Sequence, residues 1–310
     1  MDQRLIGTAA PHVLSSENTN KIMRDVVIAM MPALIGAVYF FGLPALKLTL
    51  ISVAAAVLTE FLIQKLSKKP VTISDLSAVV TGILLAYNIP STAPWWLPII
   101  GSVFAIGIAK QAFGGIGQNF INPALAGRAM LLASWPVLMT TWVSPGPDAV
   151  STATPLAILK NPSAGELPSL MDAFLGNIGG CIGETSVILL LIGGIYLIIR
   201  KVISWKTPVA YILTVAILTF IFAGGWEPML YHICSGGLIL GAFFMATDYP
   251  STPITGKGKI IFGIGAGILT TVIRLKGGYP EGVSYSILLM NLAAPLIEKF
   301  TQPKVFGGVK

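Results

Sequence analysis

Ten apolar runs, separated by short polar joints, set the pattern of this chain. Their limits, to within several residues, are 25–41, 45–63, 76–89, 95–109, 123–139, 179–199, 208–223, 233–246, 259–273 and 283–297. Most are close to the length that crosses a bilayer as a helix, roughly 17–25 residues. The third and eighth are shorter and predict half-helices or broken helices. One polar gap, from about 140 to 178, is much longer than the rest. The expected fold is therefore an all-α polytopic membrane protein in one integral membrane domain.

The pattern also repeats. Leu76-Ser-Ala-Val-Val-Thr-Gly and its continuation through Asn88-Ile-Pro-Ser-Thr are echoed from Cys234 through Asp248-Tyr-Pro-Ser-Thr. A Gly-Gly pair follows each, at Gly114-Gly115 and Gly277-Gly278. Five spans per repeat is an odd number, so the halves, about 22–139 and 179–300, are expected to be inverted in the membrane. Such repeats place a site near the midplane, at helices broken by Gly and Pro. The stretch from Gly114 to Arg128 fits that place, with Asn122-Pro123 as a half-helix start. A ligand site and a tightly packed broken helix both remain open there. The glycines match no dinucleotide fingerprint, because no strand precedes them.

Composition sharpens the class. Of 310 residues, 54% are hydrophobic and 11% are charged, against about 25% charged in soluble domains. The net charge is +7, but the basic residues sit between apolar runs. That argues for topology signals rather than a nucleic-acid surface. Arg4, Lys21, Arg24, Lys65, Lys68, Lys69, Lys110, Arg200, Lys201, Lys206, Lys257, Lys259, Lys299, Lys304 and Lys310 fall on one side of a ten-span chain. Lys47, Lys160, Arg274 and Lys276 fall on the other. The positive-inside rule then puts both termini in the cytoplasm and the 140–178 loop outside. The polar head, 1–21, lacks a signal-peptide core and cleavage pattern, so the first span is expected to be retained. Cys181 and Cys234 form no CxxC or Cys/His spacing, and His12 and His232 are isolated. No iron–sulfur, zinc or haem site is expected from this chain alone.

Ionisable residues at membrane depth default to function. Here they are Glu60, Asp75, Arg128, Glu184 and Asp248. Glu60 and Asp75 flank the Lys65–Lys69 turn, and pairing with it is the simpler expectation. Asp248 mirrors Asn88 before its Pro-Ser-Thr turn, and Glu184 enters the sixth span. Both are candidates for admitting a cation or proton or for polarising a bound ring, and with Glu60 and Asp75 they make up the candidate ion pathway.

The polar gap holds Asp148-Ala-Val-Ser-Thr-Ala-Thr-Pro-Leu-Ala157. Proline pushes the preceding residue out of the helical region and is favoured at a helix's first position. Thr154 therefore reads as an N-cap. A phosphoester on its hydroxyl would face the positive end of a helix dipole, with Lys160 adding a cation if the segment folds back.

The pattern Asp148-x-x-Ser151-x-Ala153-Thr154-x-x-Ala157 resembles the motif at which a flavin transferase attaches FMN to threonine. Thr152 stands where that pattern usually has Gly. Pro11-His12, Asn122-Pro123-Ala124, Gly183-Glu-Thr-Ser186 and Met245-Ala-Thr-Asp248 resemble further stretches of one family. It contains the D subunits of Rnf complexes and, more distantly, the B subunits of sodium-pumping NADH:quinone reductases. The short polar head favours the Rnf side. The resemblance implies a urea-transporter-like fold and a place in a multisubunit pump of a bacterial or archaeal cell membrane. Such pumps move electrons between ferredoxin and NAD and translocate Na+ or H+. It also implies FMN esterified to Thr154 outside the membrane. Asp148, Ser151, Lys160 and Asn122 join Thr154 as candidate cofactor-binding residues. A second, non-covalent flavin such as riboflavin is known in the related reductase, and no residue here is assigned to it. Implied partners are another FMN-bearing outer subunit, iron–sulfur subunits and the flavin transferase. No acid, base or nucleophile constellation is visible, so the expected role is electron relay and ion coupling. The competing readings are a small-solute channel or secondary transporter on the same repeat, with Thr154 a plain cap, and an inert membrane anchor.

Overall fold

A computed structural model describes residues 18–146, 151–184 and 186–303. Among them there is no strand, only two isolated antiparallel bridges, Pro90 with Cys181 and Val143 with Ser151. Asn18 caps the first helix, its Oδ1 accepting from Lys21 N at 2.9 Å. That helix is α1, Thr19–Phe41. Gly42 alone turns the chain into α2, Leu43–Leu66, and its φ of 71° is one a side chain rarely adopts. Then come α3 (Ser77–Tyr87), α4 (Trp96–Gly107), α5 (Pro123–Ser134) and the short α6 (Pro136–Met139). The polar gap carries α7 (Pro155–Lys160) and α8 (Leu170–Leu175). The second half holds α9 (Val187–Ile199), α10 (Lys206–Phe222), α11 (Trp226–Cys234) and α12 (Leu238–Leu240). The last runs on as a π-helix, Gly241–Met245, before α13 (Gly256–Lys276) and α14 (Val283–Thr301).

Four helical stretches are long and apolar enough to cross a membrane: Thr19–Phe41, Leu43–Leu66, Trp96–Phe113 and Gly256–Lys276. A fifth is made by Trp226–Cys234 with Leu238–Met245, bent by 62° at the break between them. Only 28–50% of each long span's apolar window is buried. Leu66, Ile199, Phe222 and Phe300 are each at least 70% exposed. Helices that are apolar all round and still uncovered are built to face lipid. The chain is a multi-pass membrane protein.

Each apolar run of the sequence contains a helix, with two differences of detail. The sixth becomes helical only at Val187, because the preceding segment runs extended where Cys181 pairs with Pro90. The eighth is broken at 235–237, as its length suggested.

Lipid gives helices no hydrophobic reason to associate, so small residues let backbones approach. A Cβ on Gly193 of α9 would lie 2.0 Å from the Ala29 carbonyl oxygen of α1. One on Gly263 of α13 would lie 2.8 Å from the Thr207 carbonyl of α10. Tyr87, Tyr211 and Phe262 are wholly buried between these layers. The Tyr87 hydroxyl donates to the Met30 carbonyl at 2.7 Å, so it does not enter the interior unpaired.

Candidate functional site

The helix α13 gives the molecule two ends. Near its start, Thr255 meets Thr301 at 2.5 Å, and a Cβ on Gly256 would touch the Lys206 ammonium. Past its last turn, Lys160 donates to the carbonyls of Gly277 and Tyr279. Polar groups gather at both ends.

At the far end stands Thr154. Its backbone is extended, Pro155 follows at the first helical position, and Oγ1 accepts from Ala157 N at 3.3 Å. This is the cap the sequence predicts. The hydroxyl donates to nothing among the described residues, so its hydrogen can be exchanged for phosphorus while the cap remains. The neighbouring hydroxyl is held differently: Thr152 Oγ1 donates to Ala153 O at 3.4 Å, and its methyl fills the face of Gly179. Ser151 is exposed and pairs with Val143, whereas Thr154 is only 6% exposed. Asp148, Pro11, His12 and Thr185 lie outside the described residues. Lys160 folds back onto the α13 end rather than onto Thr154, because the Gly277 and Tyr279 carbonyls accept its hydrogen bonds.

Asn122 is not part of this loop. It caps α5, its Oδ1 accepting from Ala124 N at 3.0 Å and Leu125 N at 3.3 Å. It lines a cavity of about 250 Å3 at the near end, among Ser77, Lys110, Asn119, Phe243, Phe244 and Asp248. Asp248 Oδ2 accepts from Asn119 Nδ2 at 3.2 Å and Ser251 Oγ at 2.8 Å. Lys110 reaches Ser77 Oγ at 2.6 Å and Glu60 Oε1 at 2.9 Å, and Gln111 Nε2 donates to the same carboxylate at 2.7 Å. Asp75 Oδ1 accepts from the Ser77 amide and hydroxyl. Glu60 and Asp75 therefore do not pair with the Lys65–Lys69 turn. Glu60 points inward from α2, with no exposed surface, and takes its cation from the end of the fourth span. Three of the four candidate pathway acids share this end.

Glu184 lies apart, at the break between α11 and α12. Its Oε1 accepts from Cys181 N at 3.2 Å, and its Oε2 has no partner among the described residues. Around it Arg128 is bonded to Glu281, to Asn88 Oδ1 at 2.9 Å and to Ser284 Oγ at 2.8 Å. Arg274 donates to the carbonyls of His232 and Ser235. Ligand atoms of Cys181, Glu184 and Glu281 lie within 4.8 Å of one another. Sequence reading placed Arg128 at membrane depth but missed Glu281 and Arg274, which stand outside or at the edge of apolar runs. The signal for Glu281 was its place just after the Gly277-Gly278 pair, in the joint between the ninth and tenth runs.

Known proteins agree along the whole chain. The model of the NQR2, RnfD, RnfE family matches residues 6–307. The D subunit of the Na(+)-translocating ferredoxin:NAD(+) oxidoreductase complex of Acetobacterium woodii is 57% identical, over 98% of this chain and 95% of the relative. The D subunit of the proton-translocating ferredoxin:NAD(+) oxidoreductase complex of Clostridium ljungdahlii is 50% identical, over 97% and 95%. The D subunit of the ion-translocating oxidoreductase complex of Stutzerimonas stutzeri is 39% identical, over 94% and 92%. With a membrane-embedded helical frame and near-complete coverage of both chains, the conclusion is direct: this chain belongs to the NQR2, RnfD, RnfE family.

Proposed function

We infer that the chain is the D-type membrane component of a redox-driven, ion-translocating ferredoxin:NAD oxidoreductase complex, with FMN esterified to Thr154. The observation that carries this reading is the Thr154 hydroxyl, which accepts the Ala157 amide and donates to nothing among the described residues. When bound there, FMN supplies an electron relay. The chain's own part is positional. Pro155 and the Thr154 cap fix the attachment point, and Lys160 pins α7 to the end of α13. Because Thr154 is nearly buried, the transferase acts on the 151–154 loop while it is open.

The redox loop and the acids Glu60, Asp75 and Asp248 lie at opposite ends of α13. Coupling then requires a route between them. The basic residues Lys110, Arg200, Lys201, Lys206 and Lys259 belong to the acidic end, which supports placing that end in the cytoplasm and Thr154 outside. The cavity at that end, walled by Phe243 and Phe244, is where the second, non-covalent flavin is to be sought.

A crossed set of hydrogen bonds supports ten segments in two inverted repeats. Arg128 of α5 bonds Asn88, in the turn of its own half, and Ser284, at the start of α14. Asn291 of α14 bonds Ser251, in the turn of its own half, and Asn122, at the start of α5. The test is in-gel flavin fluorescence of the denatured chain, made with the transferase. Thr154→Ala abolishes it and Thr152→Ala does not. A colourless wild-type chain defeats the reading and leaves a channel-like bundle.

A further inference from the structure

The joint after α9 and the joint before α13 enclose a second cavity, of about 560 Å3. Three apolar helices end or begin around it, α9 at Ile199, α10 at Lys206 and α13 at Gly256. At that level a bilayer passes from acyl chains to headgroups. Lys201 and Lys259 line the cavity, and among the described residues no acid does. Neither ammonium has a hydrogen-bond or ion-pair partner among those residues. Asp248, one residue from the lining Tyr249, is held by Asn119 and Ser251 in the other cavity. Lys206 reaches the start of α13 at Gly256 and adds a third cation nearby. Lys201 ends α9 with a φ of 60°, a left-handed turn that glycine usually fills. A long cation at so costly a position points to a use for it beyond the turn. Thr207 is 3% exposed and lines the cavity, and its hydroxyl has no hydrogen-bond partner among the described residues. It sits in the first turn of α10, where the helix dipole favours an anion.

We propose that this cavity holds the headgroup of an anionic phospholipid, its phosphate held by Lys201, Lys259 and the Thr207 hydroxyl, with an acyl chain along α10. Basic pockets between membrane helices take such headgroups. Phosphate is chemistry that a lipid shares with a free anion, and the rim selects the lipid. Trp205, Tyr249 and Ile254 line the cavity and are exposed. Indole and phenol rings favour the membrane–water interface. From Trp205, the exposed Val209, Leu213 and Ile217 follow at four-residue steps along one face of α10. A soluble phosphate has no use for that lane, and an acyl chain does. Tyr249 already ties the two joints together by donating to the Val202 carbonyl. A headgroup seated between them bridges the same joints, beside the turn that carries Asp248. The proposal needs the membrane-spanning frame and neither the flavin nor the ion route.

The test is native mass spectrometry of the whole complex in detergent. It is titrated with phosphatidylglycerol, with phosphatidylcholine of the same chains, or with inorganic phosphate. The wild type is expected to retain at least one more phosphatidylglycerol than phosphatidylcholine. Lys201→Gln and Lys259→Gln should each weaken that binding about fivefold, and together about 25-fold. Thr207→Val keeps the shape, loses the donor and should weaken it about fivefold. Lys65→Gln, at a joint outside the cavity, should leave it unchanged. Wild-type affinity in the double variant overturns the site. So does a loss in Lys65→Gln as large as in Lys201→Gln, which would reduce the binding to general surface charge. If the double variant fails to assemble, wild-type affinity in both single variants overturns it instead. Displacement of the lipid by inorganic phosphate at equal concentration would make this a soluble-anion site and defeat the proposal. Amine labelling blocked at Lys201 and Lys259 in the lipid-stripped complex, but not in the isolated chain, would put a partner subunit there and also defeat it. Flavin fluorescence is expected to be the same in every variant, so the two readings fail separately.

Discussion

The backbone N–H of Asn122 donates to Oδ1 of Asn291 at 3.1 Å, across 169 residues of chain. The same side chain gives its Nδ2 to the Ser251 carbonyl at 2.9 Å. One amide thus ties the start of α5 to the turn before α13. Asn291→Leu keeps the branched shape and strands both partners. Each buried group left unpaired costs about 1–3 kcal/mol in water, and somewhat less within a membrane. A loss of about 2 kcal/mol is expected, read as a lower midpoint in detergent thermal unfolding.

The Glu60–Lys110 pair has almost no exposed surface, 0% and 4% for the two side chains. Breaking a buried pair from one side leaves an uncompensated charge and costs about 3–5 kcal/mol. Lys110→Met is expected to fall in that range. The double variant with Glu60→Gln should recover much of the loss, since no charge is then stranded. Unfolding midpoints of the two single variants and the double variant in one detergent give the comparison.

Thr154 has two separable roles. As a cap it stabilises the start of α7, and Thr154→Ala should cost about 1 kcal/mol there. In a host without the transferase, this loss appears alone, as faster amide exchange at Ala157 and Ile158. Thr154→Ser keeps the cap oxygen and should exchange as slowly as the wild type.

Asp248 accepts two hydrogen bonds on one carboxylate oxygen. Asp248→Asn can keep both through its remaining oxygen while losing the charge. The fold should therefore survive with ion translocation reduced about tenfold, in line with the cost of losing a charged contact. Vesicle transport equal to wild type would remove Asp248 from the pathway.

The apolar runs were legible because lipid imposes length and composition on any spanning helix. Thr154 was legible because Pro155 fixes a local cap whatever the rest of the chain does. Partners in space were not. Glu60 looked paired with lysines five to nine residues away, yet its cation comes from Lys110, fifty residues on. Nothing in a sequence reports which way a helix is rotated. Asn122 was legible as a half-helix start, and it caps α5; its grouping with Thr154 was not, because the cap holds it at the cavity and away from the outer loop. Glu281 was hidden because it stands outside the apolar runs and reaches the interior on a loop.

The wide turn at Gly241–Met245 sets the aim of Asp248 by counting. Such turns carry one residue more than an ordinary helix would use over the same rise. Wound as an ordinary α-helix with no residue removed, the same five residues would turn everything after them by about 100°. Asp248 would then swing away from Asn119. The width of one turn, rather than any side chain, decides where that charge looks.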